Sequence, residues 1–153
     1  MSIDARLAEL GITLPQAATP VAAYVSSVEA DGMLYISGQI SLAPDGLMTG
    51  RLGDDRDLDY GVAAARICGL NLIAQMKAAL GSLDRVERVV KLGAFISSAP
   101  SFTDQPKVAN GASELMVDVF GDAGKHARSA VGVPVLPLGA VVEIDAIVLV
   151  RAA

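Results

Sequence analysis

The spacing of apolar residues changes period several times along this chain, and each change marks an element. Ile3, Leu7 and Leu10 recur at helical spacing and Gly11 follows, so residues 2–11 read as a short helix. Pro15 and Pro20 then force an extended stretch. Ala23–Val28 and Met33–Ile40 read as two strands joined at Glu29-Ala30-Asp31-Gly32, because Asp-Gly accepts the positive φ of a tight hairpin. Ala43–Asp54 is rich in Gly and Asp and reads as a loop. A helix over Tyr60–Leu80 is expected, capped by Asp57 or Asp59 and ended by Gly81, with Ile67, Leu70, Ile73 (or Ala74), Met76 (or Ala78) and Leu80 as its buried stripe. Val86–Ser97 is a mostly apolar strand. Pro106–Phe120 is a second long helix, with Thr103 or Asp104 as its cap and Gly121 at its end.

Arg128–Leu136 and Ala140–Val150 close the pattern as two strands separated by Leu-Pro-Leu-Gly. The main order is β-β-α-β-α-β-β. Two long helices cover only one face of such a sheet, so an α+β sandwich is expected. In the last strand Val142, Ile144, Ala146, Val148 and Val150 form one apolar face, yet Val141, Ile147 and Leu149 opposite them are apolar too. A strand apolar on both sides calls for cover on both, which predicts a homo-oligomer with sheets packed together. No repeat or linker interrupts the chain, so one domain over residues 1–153 is expected, with 1–20 as an N-terminal extension.

Composition narrows this picture. A domain of 153 residues buries about 70% of its unfolded surface, enough to fold without disulfides or a structural metal. Hydrophobic residues make up 52% of the chain and aromatics only 4%, so the core rests on small aliphatic side chains packed closely. The net charge of −5 argues against nucleic acid and anionic membranes as partners. Residues 1–10 carry Asp4, Arg6 and Glu9 and no signal-peptide core, and no apolar stretch approaches membrane-span length, so a soluble cytoplasmic protein is expected. One cysteine, Cys68, and one histidine, His126, exclude a disulfide and the common zinc sites, and no metal or other cofactor is expected.

Phosphate-loop, dinucleotide and nucleophile-elbow motifs are all missing. What remains is a set of polar residues inside apolar strands. Arg128 opens its strand, and Glu143 and Asp145 lie on one face of the last strand, taken as its neighbour. A guanidinium fork suits a carboxylate, and a glutamate across a hairpin could orient that fork or place a water. On spacing alone, a structural Arg128–Glu143 ion pair at a subunit contact stands ahead of a ligand site. Tyr24 and Asn110 read first as structural residues, Cys68 as a small buried hydrophobe, and His126 as a solvated or loop-anchoring residue.

Tyr24-Val25 followed by Met33-Leu34-Tyr35-Ile36-Ser37-Gly38-Gln39-Ile40 resembles the N-terminal signature of the RidA/YjgF family. Arg128-Ser129-Ala130-Val131, Leu136-Pro137 and Val142-Glu143-Ile144-Asp145-Ala146-Ile147 resemble its C-terminal signature. Phe102–Val108, Asn110-Gly111-Ala112-Ser113 and His126–Gly132 are similar to a longer branch labelled endoribonuclease L-PSP/chorismate mutase-like.

The resemblance, over about residues 20–150, implies a chorismate mutase-like fold, a homotrimer with clefts at subunit boundaries, and hydrolysis of enamine or imine intermediates to 2-keto acids and ammonia. It implies that Arg128 binds the substrate carboxylate, that Glu143 stands near the attacking water, and that Tyr24, Gly38, Asn110 and Ala130 line the cleft. The implied partners are a small carboxylate-bearing metabolite and further copies of the chain. Ala130 stands where RidA proteins carry a cysteine, the loop over 43–57 is longer, and the first helix is extra. The competing readings are a trimeric carboxylate-binding or chaperone-like protein without turnover, and an endoribonuclease.

Overall fold

The computed structural model describes residues 1–153. Helix α1 (Ile3–Glu9) precedes strands β1 (Ser27–Ala30) and β2 (Met33–Ile40) and a small hairpin, β3 (Leu42–Ala43) and β4 (Gly46–Leu47). Then come α2 (Leu58–Leu80), β5 (Val86–Ser97), α3 (Gln105–Phe120), β6 (Ala127–Val133) and β7 (Val142–Val150). The five long strands form one sheet in the order β1-β2-β7-β5-β6. All neighbours are antiparallel except β5 and β6, which run parallel because α3 carries the chain back between them.

Local chemistry explains most boundaries. Asp57 caps α2, its Oδ1 accepting the Tyr60 N–H at 2.9 Å. Gly81 and Gly121 end α2 and α3 at positive φ. The β1–β2 turn has Asp31 at φ 52 and Gly32 at φ 78, the paired left-handed conformations of a tight hairpin. Asp104 occupies the N-cap of α3 without a side-chain capping bond, and Pro106 fits the first turn because its missing N–H has no helical acceptor there.

Several expected limits move. β1 starts at Ser27, not Ala23, because β2 bulges between Ile36 and Gln39 and its Ser37 bonds back to Val25 and Ser26 outside the regular ladder. β6 ends at Val133, since Pro134 has no N–H for a ladder. The expected 43–54 loop contains the β3–β4 hairpin. On α2 the buried face runs through Ala64, Ala65, Cys68, Leu72, Ile73 and Met76, while Ile67 and Leu70 are only half-buried at its margin. Small residues win the centre because α3 approaches closely: a Cβ on Gly69 would crowd Leu115 and Ala112.

Both long helices cover one face of the sheet, giving the expected α+β layers. β7, at the centre, alternates strictly: Val142, Ile144, Ala146, Val148 and Val150 are buried under the helices, and Glu143, Asp145, Ile147 and Leu149 face the other way and are half-buried. That second face also carries Tyr35 and Val131, close to half-exposed in the single chain. No helix is long and apolar enough to cross a membrane.

Candidate functional site

The sheet register places Arg128 and Glu143 apart. Arg128, Ala130 and Gly132 of β6 pair with Leu92, Ala94 and Ile96 of β5, whose side chains are buried on the helix side. Arg128 and Ala130 therefore look toward α3. Glu143 pairs with Ile40 and Phe95 on the opposite face. β5 lies between β6 and β7, so the expected neighbour relation between these two strands does not exist within the chain.

Around Arg128 the chain supplies only neutral acceptors. Nη1 donates to Asn110 Oδ1 at 2.8 Å and to Ser113 Oγ at 3.1 Å, and Nη2 donates to the Pro106 carbonyl at 3.3 Å. Pro106, Asn110 and Ser113 follow one another at helical spacing, so a single face of α3 makes all three bonds. Of the five guanidinium N–H groups, Nε–H and one on Nη2 remain free. A guanidinium takes a carboxylate side-on through Nε–H and Nη2–H, and these are the two nitrogens that keep a free hydrogen here. A hollow of about 410 Å³ opens beside them, lined by Ser113, Glu114, Lys125, His126 and Arg128.

Glu143 occupies a different setting. It lines a cleft of about 580 Å³ with Tyr24, Gly38, Ile40, Asn71 and Leu138. Its carboxylate lies on the Cα of Gly38, where any Cβ would collide with Oε2. The bulge in β2 and the glycine thus act together: one turns the strand and the other leaves room for the acid. Asp145 is laid over Gly93 of β5 in the same way. Burial raises the Glu143 carboxyl above its ordinary value, and the nearby Asp145 charge adds to the rise. Burial also raises Asp145, opposed by the Gly93 N–H and by Lys91. Glu143 has no cationic partner in the chain to offset this.

Tyr24 is exposed at the rim of the Glu143 cleft and Asn110 is exposed beside Arg128. The six singled-out residues therefore fall into two groups: Tyr24, Gly38 and Glu143 together, and Asn110, Arg128 and Ala130 together. Cys68 is fully buried, its Sγ 3.5 Å from the Val142 carbonyl, and burial pushes its thiol well up, as for an unreactive core residue. No group of three His, Cys, Asp or Glu side chains gathers as metal ligands.

Residues 4–149 match the model of the family described as "YjgF/chorismate mutase-like, putative endoribonuclease". The chain belongs to the YjgF/RidA family. Protein TCP17 of Trypanosoma cruzi is 54% identical over 148 residues, spanning 95% of this chain and 92% of that protein. The crystal structure of the Atu1372 protein of Agrobacterium tumefaciens superposes with a TM-score of 0.90 at 46% identity, covering 97% of this chain and 92% of that one. A 2-iminobutanoate/2-iminopropanoate deaminase of Dermatophagoides farinae is 30% identical over 142 residues, 92% of this chain and 95% of its own.

Within this YjgF/RidA chain, sequence reasoning passed over Ser113 as a functional residue. It also left His126 as a solvated or loop-anchoring side chain. Both belong to the surroundings of Arg128: Ser113 Oγ is 2.9 Å from His126 Nε2, and His126 Nδ1 is 2.6 Å from the Gly124 carbonyl. The three-residue step from Asn110 to Ser113 was the available signal, since it puts both on one helix face.

Proposed function

We propose that this protein hydrolyses 2-imino acids to 2-keto acids and ammonia, at clefts completed between chains of a homotrimer. The observation that carries the reading is the separation of two half-built sites. Arg128 has a free carboxylate-binding edge on one side of the sheet, and Glu143 has a raised carboxyl without an in-chain partner on the other. A head-to-tail ring contact would set the β6 edge of one chain against the Glu143 cleft of the next, and a closed ring repeats that contact for every chain. The apolar surface on Tyr35, Val131, Ile147 and Leu149 supports such burial.

The chemistry needs little more. An iminium carbon is already electrophilic, so orientation of its carboxylate on Arg128 supplies much of the effect. Glu143 takes a proton from water as the oxygen adds to that carbon, giving a carbinolamine. Glu143 returns the proton to nitrogen and then takes the hydroxyl proton as the C–N bond breaks, so the carbonyl forms and ammonia leaves, picking up that proton as ammonium. A carboxyl raised above its ordinary value by burial is a stronger proton acceptor than a solvated one and can return the proton later in the reaction. Tyr24 and Gly38 bound the cleft beside Glu143, and Asn110 and Ala130 bound it beside Arg128. The identity of the deaminase relative supports the same reaction class.

An RNA-cleaving role, as in the family description, has less support. The lone His126 has both ring nitrogens engaged within the chain, and the net charge is −5. The deciding assay generates 2-iminopropanoate in place with an amino-acid oxidase and follows ammonia release against buffer. Faster release, lost in Arg128→Ala, is expected. No acceleration, with carboxylate binding kept, would leave a binding protein and overturn the deaminase reading. A solution mass three times the 15.7 kDa chain is expected on sedimentation.

A further inference from the structure

We infer that Ser113 and His126 are positioning residues, a hydrogen-bond relay that fixes which edge of Arg128 is offered to a carboxylate. The inference rests on the reading of Arg128 as the carboxylate grip and adds two residues behind it.

Donor and acceptor roles along the relay follow from one contact. The Gly124 carbonyl can only accept, so the 2.6 Å contact places the ring hydrogen of His126 on Nδ1. In the neutral ring Nε2 is then an acceptor, and the Ser113 hydroxyl must donate to it across 2.9 Å. With its hydrogen committed, Ser113 Oγ has only lone pairs left for Arg128 Nη1, at 3.1 Å. Every group between the guanidinium and the Gly124 carbonyl thus has one available role. Asn110 takes the other hydrogen of Nη1 at 2.8 Å. Nη1 is thereby saturated, and an incoming carboxylate meets the Nε–Nη2 edge and no other pair.

The backbone is shaped to hold the end of this relay. Gly124 lies against the last turns of α3, where a Cβ would run into the Met116 carbonyl, so only glycine brings its own carbonyl under the imidazole. Three residues later, at Ala127, the chain enters β6, and Arg128 follows His126 by two positions. The turn, the helix and the strand therefore meet at one point. An Arg side chain carries several rotatable bonds, and each one fixed before binding lowers the ordering cost that a ligand must meet.

The test uses the assembled protein and pyruvate, the keto acid of the proposed reaction, as the probe. Ser113→Ala is expected to weaken pyruvate binding about tenfold, the loss of one hydrogen bond to a charged group. It should raise KM for 2-iminopropanoate by a similar factor and lower kcat less. Ser113→Thr keeps the hydroxyl and should bring binding back to within about twofold of wild type. His126→Phe should weaken binding about threefold alone and add nothing in the Ser113→Ala background, because the two act in series.

Unchanged pyruvate affinity in Ser113→Ala, or additive losses in the double variant, would overturn the relay. If the wild type neither binds pyruvate nor releases ammonia from the imine, the deaminase reading falls while the relay is still readable. Arginine-selective 15N NMR should show separate, sharp Arg128 Nη signals in the wild type and merged ones in Ser113→Ala. Identical signals in both would sink the relay by itself.

Discussion

Arg128 and Glu143 are finished to different degrees by one chain. Three in-chain acceptors on α3 hold the guanidinium of Arg128, and a hydrogen-bonded serine and histidine stand behind it. Glu143 has a glycine beneath it, an acidic neighbour along the strand and no hydrogen-bonded partner. A buried or half-buried carboxylate normally has a partner, because desolvation without one is costly. The contrast teaches where the chain is complete: the guanidinium is held in place within one chain, and the acid end has no partner there.

Mixing two inactive variants is the strongest way to break that division. Arg128→Ala and Glu143→Gln should each lower imine hydrolysis by at least about 100-fold, one through lost carboxylate orientation and the other through lost proton transfer. Refolded together in equal amounts, they should recover about a quarter of wild-type activity, since a quarter of head-to-tail contacts in closed rings join an intact Arg128 to an intact Glu143. Activity is read as ammonia release per chain. A mixture no better than its components would put both groups in one chain's site and end the comparison.

Gly38→Ala disturbs only the acid end. The new Cβ would occupy the place of Glu143 Oε2, so the carboxylate must swing away. A drop in kcat of about 10- to 100-fold is expected from that displacement. Pyruvate binding, which reads Arg128, should change less than about twofold, because additivity holds between sites that share no partner. A loss of pyruvate affinity as large as the loss in kcat would show that the two ends are coupled more tightly than the two settings suggest.

Much of the fold was legible because hydrophobic period and turn chemistry agree over long elements. Asp57 at the start of α2, Asp31-Gly32 in the first hairpin and the glycines ending both long helices each declare themselves. β3 and β4 are two residues each and have no period to read. Strand order was the deeper loss. Leu136-Pro137-Leu138-Gly139 looks like a hairpin turn between adjacent strands, but with Leu138 at φ 60 it carries the chain from one edge of the sheet to its centre. That is why Arg128 and Glu143 seemed to be neighbours. Their membership of one family signature was visible in the residues, and their placement on opposite faces required the register of β5 between them.

The smallest effect concerns stability and pH. The carboxyl of Glu143 is raised in the folded chain by burial, then by Asp145, so between its ordinary value of 4.5 and its folded value the native state binds more protons than the unfolded state. The sign follows: this contribution is fully present below the ordinary value and is lost as pH rises through the folded one. Glu143→Gln carries no charge to desolvate, so its Tm should exceed that of the wild type at pH 8 by about 1–3 °C, a gain that fades toward pH 4. Asp145→Asn should gain less, because the Gly93 N–H and Lys91 already favour the charged form of Asp145. In the proposed ring a substrate-sized space would separate Glu143 from the next chain's guanidinium and leave the penalty in place. A Tm for Glu143→Gln below that of the wild type at pH 8 would mean that assembly does supply a cation to this acid, and the two ends would then be alike.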